Sequence, residues 1–265
     1  MSNDSVGKTI TVAAILCIVC SILVSGAAVM LKPKQELNKQ LDIKKNLLLA
    51  AGLIKSSDAS KKEIMDAFSS VETKLIDLKT GKVTDEIDPA SFDAVKAAKD
   101  SKLNKMIDSK NDLAGIKRRA KYSKVYLVKQ GGSVSQIILP VNGKGLWSTL
   151  YGFLALAPDT QTVKGFGFYQ HGETPGLGGE VDNPNWKAQW IGKKVLGENY
   201  KPVIDVVKGA VNPKSKTKNQ EVDGLSGATI TANGVENLLH YWLGEDGFGP
   251  FLANFRAAGG PAGGF

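Results

Sequence analysis

The residues best suited to chemistry lie near the C-terminal end, in segment 223–229, which reads Asp-Gly-Leu-Ser-Gly-Ala-Thr. This segment places the hydroxyls of Ser226 and Thr229 among small residues, directly before a stretch with helical periodicity. Glycine and alanine let a ligand approach the backbone closely, and the first N–H groups of a helix have no partner within the helix. Such a junction suits a phosphate group. The structural alternative is a Ser/Thr turn with Thr231 as the helix N-cap.

A second informative segment, 171–179, reads His-Gly-Glu-Thr-Pro-Gly-Leu-Gly-Gly. Its glycines and proline predict a loop with unusual backbone angles, in which Thr174 and the peptide planes of residues 176–178 could lie against a flat ring. The alternative is a simple turn between two strands. A third segment, 143–147, ends in Gly-Leu-Trp, and taken by itself its Trp147 could be a buried core residue.

Segments 171–179 and 223–229 resemble, in the same order, the E-T-P-G-L-G and D-x-x-[ST]-G-A-T signatures of the FMN-binding domain family. The resemblance implies that a flavin transferase joins the phosphate of FMN to Thr229 as a phosphoester, with Asp223 as part of the flavinylation motif. We expect Lys208 either to approach the flavin or to be solvated. The predicted cofactor-binding residues are Leu146, Trp147, Glu173, Thr174, Leu177, Gly178, Lys208, Ser226, Gly227 and Ala228.

Residues 241–252, Tyr-Trp-Leu-Gly-Glu-Asp-Gly-Phe-Gly-Pro-Phe-Leu, extend the resemblance to the family of C subunits of sodium-translocating NADH:quinone oxidoreductases. It implies a protein, inactive alone, that relays single electrons from a membrane iron centre to a flavin of a neighbouring subunit, on the way to ubiquinone. In the complex this relay is coupled to sodium export. The implied partners are the other membrane and peripheral subunits and the flavin transferase. The G subunit of the RNF ferredoxin:NAD oxidoreductase complex, a flavin-binding protein outside any pump and a non-redox binding module are the alternatives.

The N-terminal region contains an uncharged run from Thr9 to Leu31. At 1.5 Å per residue this run spans about 35 Å as a helix, enough to cross a bilayer. A cleaved signal peptide is the alternative, since residues 24–28 include small residues that a signal peptidase could accept. Lysines directly after the run favour a cytoplasmic body by the positive-inside rule. The family resemblance implies the opposite, a single-pass protein of the bacterial inner membrane with its soluble domain in the periplasm.

Composition excludes several other functions. The only cysteines, Cys17 and Cys20, lie within the apolar run, so the body can hold neither a disulfide nor a Cys-ligated iron–sulfur cluster. These thiols are either packing residues or a pair that faces a metal centre shared with a neighbour. Two histidines, His171 and His240, make a poor zinc site. The net charge of +8 comes with no nucleic-acid-binding signature and favours contact with membrane lipid or partner subunits. The densest basic strip consists of Lys117, Arg118, Arg119 and Lys121.

The order of helical and strand patterns that must position these residues predicts an α+β fold. In this fold a single transmembrane helix is followed by a curved, largely antiparallel sheet with helices packed on one side. We expect a tail and anchor over 1–34, a helical part over 35–121, the FMN-binding domain over 122–256 and a flexible tail over 257–265. Predicted helices cover 34–54, 58–78 and 232–243, with further helix starts at Asp88-Pro89 and Asn183-Pro184. Predicted strands cover 125–128, 134–141, 165–169 and 202–207, the first two joined by Gly131-Gly132.

Overall fold

A computed structural model of the chain describes residues 5–56 and 58–260. The contacts divide it into two units, one before Lys44 and a body from Lys44 onward. The helices are α1 (Val6–Ala50), α2 (Lys61–Phe68), α3 (Ala94–Ala97), α4 (Pro184–Gln189), α5 (Thr229–Leu243) and α6 (Gly249–Ala257). The strands are β1 (Val71–Asp77), β2 (Asn104–Met106), β3 (Arg118–Ala120), β4 (Tyr122–Gln130), β5 (Ser133–Lys144), β6 (Thr149–Leu156), β7 (Val163–Gln170), β8 (Asp205–Val207) and β9 (Glu221–Asp223).

Helix α1 contains the predicted membrane anchor. Within the described part of the chain it is the one helix that is long and apolar enough to cross a membrane. It continues beyond the apolar run through Pro33, as the sequence predicts, and ends at Ala50 rather than at residue 54. The residues at its end, Leu47 and Leu48, are buried in the body.

The body is built on a five-stranded antiparallel sheet with the order β1-β4-β5-β6-β7. The predicted hairpin is confirmed: β4 and β5 are joined by Gly131-Gly132, both of which have positive φ. Strand β7 confirms the prediction over 165–169, and α4 begins after Asn183, whose side chain caps it. The prediction over 202–207 is confirmed only in its last part, since β8 begins at Asp205.

Helix α5 packs on one face of this sheet, against β5. The predicted apolar stripe of this helix is buried in the main core together with inward-facing residues of β4 to β7. The stripe consists of Val235, Leu238, Leu239 and Trp242. The indole N–H of Trp242 donates to the backbone oxygen of Asn142 in β5 at 2.7 Å, which fixes the helix along the strand.

The prediction of one long helix over 58–78 is wrong beyond Phe68, because β1 begins at Val71 and pairs with β4. The prediction that helices pack on only one side of the sheet is also wrong. Tyr126 lies between two β4 residues of the main core, so its side chain faces the opposite side of the sheet. There it makes an edge contact with Phe68 of α2, with ring centroids 6.5 Å apart.

Three further predictions need correction or qualification. Asp88-Pro89 opens a turn in which the Asp88 carboxylate accepts from the Ala90 N–H, and the next helix begins only at Ala94. The basic strip is not all surface, because Arg119 in β3 is buried and donates to the Ala120 carbonyl. Most of the predicted flexible tail, residues 261–265, lies outside the described residues.

Candidate functional site

The first residue of α5 is Thr229, and its side chain is exposed. The residue before it, Ala228, is the N-cap and offers no side-chain hydrogen bond to the helix. The expectation that Thr231 caps the helix is therefore wrong, since Thr231 lies inside the first turn and is fully buried. The helix start is left without a side-chain cap and is suited to bind an anion from outside.

A cavity of about 490 Å³ opens at this helix start, within the range typical of small-molecule sites. It lies beside the parallel pair of β8 and β9. Four residues predicted to bind or attach the cofactor line it, Lys208, Ser226, Gly227 and Thr229, together with Asp223 of the motif. Further lining residues are Val206, Val207, Gly209, Ala210, Gly224, Leu225, Ala232 and Asn233.

The turn before α5 brings the two signature segments together. Gly227 has a φ of +69°, a conformation that favours glycine, and a Cβ at this position would lie 2.9 Å from Cδ2 of Leu177. Leu177 belongs to segment 171–179. Segments 171–179 and 223–229, which are far apart in sequence, are therefore in contact.

Asp223 fixes the wall of the cavity. Its Oδ1 accepts from the N–H of Val211 at 2.7 Å. Its backbone oxygen accepts from the indole N–H of Trp186 at 2.8 Å. The aspartate of the motif thus holds the segment after β8 in place and is held in turn by α4.

Glu173 is the most connected side chain of the site. The residue is 6% exposed, and its carboxylate accepts from the N–H groups of Leu146, Trp147 and Ser148, and from the hydroxyl of Thr231 at 2.6 Å. Burial alone would raise the pKa of Glu173, but these hydrogen bonds together hold its pKa below the ordinary value. Glu173 is therefore an ionised carboxylate inside the protein, surrounded by donors.

Apolar side chains around the helix start are exposed. Leu146 is 43% exposed, Trp147 67% and Leu177 44%. A core position for Trp147 is thereby ruled out. Ile230, the residue after Thr229, is 59% exposed, and sequence reasoning missed it although it follows the motif directly. Apolar side chains left exposed in this way are suited to contact an aromatic ring.

The remaining candidates have defined places. Thr174 is exposed, and its backbone oxygen accepts from the N–H groups of Leu177 and Gly179, which shapes the loop. Gly178 and Ala228 are buried. A Cβ at Gly178 would lie 2.6 Å from Oγ1 of Thr231, so the loop packs tightly on α5.

The two histidines bond to different partners. Nε2 of His171 lies 2.7 Å from a carboxylate oxygen of Asp182, and Nε2 of His240 lies 2.7 Å from the backbone oxygen of Ile204. Cys17 and Cys20 are exposed on α1, and a metal contact by them stays a prediction. The described residues contain no group of three or more His, Cys, Asp or Glu placed to hold a metal ion.

Comparison with known proteins agrees with this geometry. Residues 145–244, which include the whole arrangement around Glu173 and α5, match the FMN-binding domain family. The crystal structure of Shewanella oneidensis NqrC superposes with a TM-score of 0.75 at 36% identity and covers 83% of this chain and 99% of that one. The domain is therefore an FMN-binding domain of α+β fold.

Full-length relatives extend the match to the anchor. The C subunit of the Na(+)-translocating NADH-quinone reductase of Pseudomonas aeruginosa is 51% identical over 96% of this chain and 98% of its own length. The C subunit of the Yersinia pestis reductase is 46% identical over 96% of this chain and 95% of its own. With the one apolar N-terminal helix, these matches indicate a single-pass membrane protein. The chain belongs to the family of C subunits of the Na(+)-translocating NADH-quinone reductases.

Proposed function

We propose that the chain carries FMN covalently on Thr229 and serves as an electron carrier of the reductase complex. It would take single electrons from a membrane iron centre and pass them to a flavin of a neighbouring subunit, on the way to ubiquinone, while the complex exports sodium. One observation carries the proposal: Thr229 is exposed at an uncapped helix start and lines a cavity of about 490 Å³.

The residues present fit the phosphate of FMN. The first N–H groups of α5 and the positive end of its dipole favour a negative charge there. Gly227 adopts its left-handed turn without a side chain, which leaves the backbone open to a ligand. Lys208 is exposed and lines the same cavity, so its ammonium group can balance the charge of a phosphoester.

The residues present also fit a flavin ring. The side chains of Leu146, Trp147 and Leu177 are apolar and exposed, which suits them to contact a flavin ring. The Thr174 hydroxyl and the Gly178 N–H are donors of the kind that tune a flavin's reduction potential. When bound, the flavin supplies one-electron redox chemistry, and this chain supplies position and electrostatics.

The proposed side of the membrane is the periplasm. The lysines after the apolar run, at positions 32, 34, 39, 44 and 45, favour the cytoplasm. That rule is weak for long domains, which cross largely regardless of charge. Covalent attachment is consistent with the periplasm, because a carrier outside the cytoplasm cannot exchange its cofactor with a cytoplasmic pool. A cysteine-labelling reagent that cannot cross membranes, applied to a Ser133→Cys chain in intact cells, tests this: labelling supports the periplasm.

The attachment is tested by the intact mass of the full chain, made together with the flavin transferase. We expect a gain of one FMN less water in the wild-type chain, since the Thr229 Oγ1–phosphorus bond forms with net loss of water. Thr229→Ala should abolish the gain. Ser226→Ala removes the other exposed hydroxyl that lines the same cavity, and a gain that is lost in this variant but kept in Thr229→Ala would move the attachment to Ser226. A wild-type chain that weighs only its amino acids would refute the proposal.

Membership of the complex is tested separately. Mild-detergent purification through a tag on this chain should recover the other subunits of the reductase. Recovery of a flavin-loaded chain without them would favour the alternative of a membrane-anchored flavin protein outside any pump.

A further inference from the structure

The carboxylate of Glu173 is saturated by donors from its own chain. Oε1 accepts from the N–H groups of Trp147 and Ser148, both at 3.0 Å, and from the Ser148 hydroxyl at 3.3 Å. Oε2 accepts from the Leu146 N–H at 3.2 Å and from the Thr231 hydroxyl at 2.6 Å. A carboxylate offers about four lone-pair sites. Glu173 therefore has no capacity left for a ligand.

Two glycines close the space on either side of this carboxylate. A Cβ at Gly145 would lie 2.7 Å from Oε1. A Cβ at Gly178 would lie 2.8 Å from Oε2. Both distances are too short for a real contact, so backbone packs directly against the charge and larger residues at either position would displace it. Glycine is thus required at both positions for the same reason, because a side chain would occupy the space of the Glu173 carboxylate.

The carboxylate and its donors belong to three segments that are distant in sequence. Residues 146–148 follow β5, Glu173 follows β7, and Thr231 lies in the first turn of α5. Consecutive N–H groups that converge on one anion form a nest, which fixes the backbone of the loop that supplies them. The bond to Thr231 connects that loop to the helix start, and a negative charge is favourable near a helix N-terminus.

We propose that Glu173 is a positioning residue that sets the loop 146–148 against the start of α5 before any cofactor arrives. It holds the inner side of the first turn through Thr231, while Thr229 stays exposed on the outer side. It also fixes the backbone that carries Leu146 and Trp147. In this role Glu173 does not touch FMN, which revises its prediction as a cofactor-binding residue. The positioning of the loop does not depend on the proposed function. Only the effect of this positioning on the flavin rests on the proposed function.

The test uses amide hydrogen exchange of the full chain in detergent, made without the flavin transferase so that no FMN is attached. Glu173→Gln keeps the size of the side chain but removes the charge and turns one acceptor into a donor. We expect the amides of Trp147 and Ser148 to exchange about tenfold faster or more, since charge-assisted hydrogen bonds to a buried group are lost. Unchanged exchange at these amides would overturn the proposal.

Glu180→Gln is the matched control. Glu180 lies in the same region, and its carboxylate accepts from the Asn183 side chain rather than from the three segments. Exchange at Trp147 and Ser148 should stay within about twofold of the wild type, because no bond to that loop is removed. An equal acceleration in both variants would mean general loosening and would count against a specific role of Glu173.

Thr231→Val keeps the proposal testable if Glu173→Gln fails to fold. Valine has nearly the shape of threonine and removes one donor from Oε2, far in sequence from the amides measured. If the carboxylate couples the segments, exchange at Trp147 and Ser148 should still rise, although less than in Glu173→Gln. No change at these amides in Thr231→Val would show that the segments are independent.

Flavin loading separates this inference from the proposed function. Made with the transferase, Glu173→Gln should carry a flavin with a shifted visible absorption band, since the surface under the ring is no longer fixed. A wild-type chain with no mass gain would refute the proposed function and leave the exchange result standing. A loaded wild type, together with unchanged exchange in Glu173→Gln, would refute the positioning role alone.

Discussion

Helices α2 and α5 begin in opposite ways. At α2, the Ser60 hydroxyl accepts from the Glu63 N–H at 3.3 Å, and the Glu63 carboxylate accepts from the Ser60 N–H at 2.7 Å. This reciprocal capping box satisfies the helix start from within. At α5 the N-cap is Ala228, which has no side chain that could accept. The chain therefore caps one helix with its own side chains and leaves the other without a side-chain cap.

The contrast is sharper because hydroxyls surround the start of α5. Ser226 and Thr229 are exposed, and neither caps the helix. Thr231 turns inward to Glu173. The first turn of α5 is thus tied on its inner side and open on its outer side. An open helix start beside a cavity, in a family that binds FMN, is what a phosphate site requires.

The largest effect is expected from adding a side chain at Gly227, in the turn that precedes the uncapped start of α5. In Gly227→Ala, the alanine must adopt a φ of +69°, and its Cβ would lie 2.9 Å from Cδ2 of Leu177. The left-handed conformation alone costs a non-glycine residue about 1–2 kcal/mol. We expect a loss of stability of this order in urea unfolding, and at least a tenfold lower yield of FMN-loaded chain by intact mass.

Gly131→Ala is the control for backbone strain. Gly131 lies in the β4–β5 turn with a φ of +58°, and a Cβ there would meet nothing within 4 Å. It should lose similar stability and keep its flavin loading. Equal loading in Gly131→Ala and Gly227→Ala would mean that the turn before α5 has no special role.

A smaller effect is expected at the capped helix start. Ser60→Ala removes the acceptor for the Glu63 N–H, and loss of such a cap costs about 1 kcal/mol. We expect this loss in urea unfolding with no change in flavin loading, since α2 takes no part in the site. Ser60→Thr, which preserves the acceptor, should recover most of the stability. A flavin deficit in Ser60→Ala would break the distinction between the two helix starts.

The helix α5 and the β4–β5 hairpin could be predicted because their signals are local. The stripe of Val235, Leu238 and Leu239 repeats with helical spacing, and Gly131-Gly132 separates two runs of β-branched residues. Residues 71–78 misled the prediction because Val71, Leu75 and Leu78 also fit a helical stripe. Their true partner, β4, lies about fifty residues further along the chain. Pairing with a distant strand overrides a local pattern.

The candidate site also has parts that local sequence predicts and parts that depend on contacts between distant segments. The two signature segments could be recognised from their residues, and the structure brings them into contact at Leu177 and Gly227. The inward direction of Glu173 could not be predicted, because it depends on donors from residues 146–148 and on Thr231 at once. Nothing in the local sequence distinguishes a glutamate that binds a ligand from one that holds the loops beneath it.

The smallest expected effect concerns the pH dependence of the two helix starts. Glu63 and Glu173 each accept hydrogen bonds that hold the pKa below its ordinary value of 4.5. A carboxyl group with a lowered folded-state pKa contributes stability at pH values above its unfolded pKa, and this contribution is lost as the pH falls through the folded pKa. The stability lost in Glu173→Gln should therefore shrink as the pH is lowered from about 5 to about 3.

The same comparison for Glu63→Gln should show a weaker pH dependence. Glu63 is exposed at the surface, where solvent screens its interactions, whereas Glu173 is buried and its carboxylate accepts five hydrogen bonds from its own chain. Urea unfolding of both variants and the wild type across this pH range measures the two differences side by side. A pH dependence as steep for Glu63 as for Glu173 would mean that the buried carboxylate holds the start of α5 no more firmly than a surface cap holds α2.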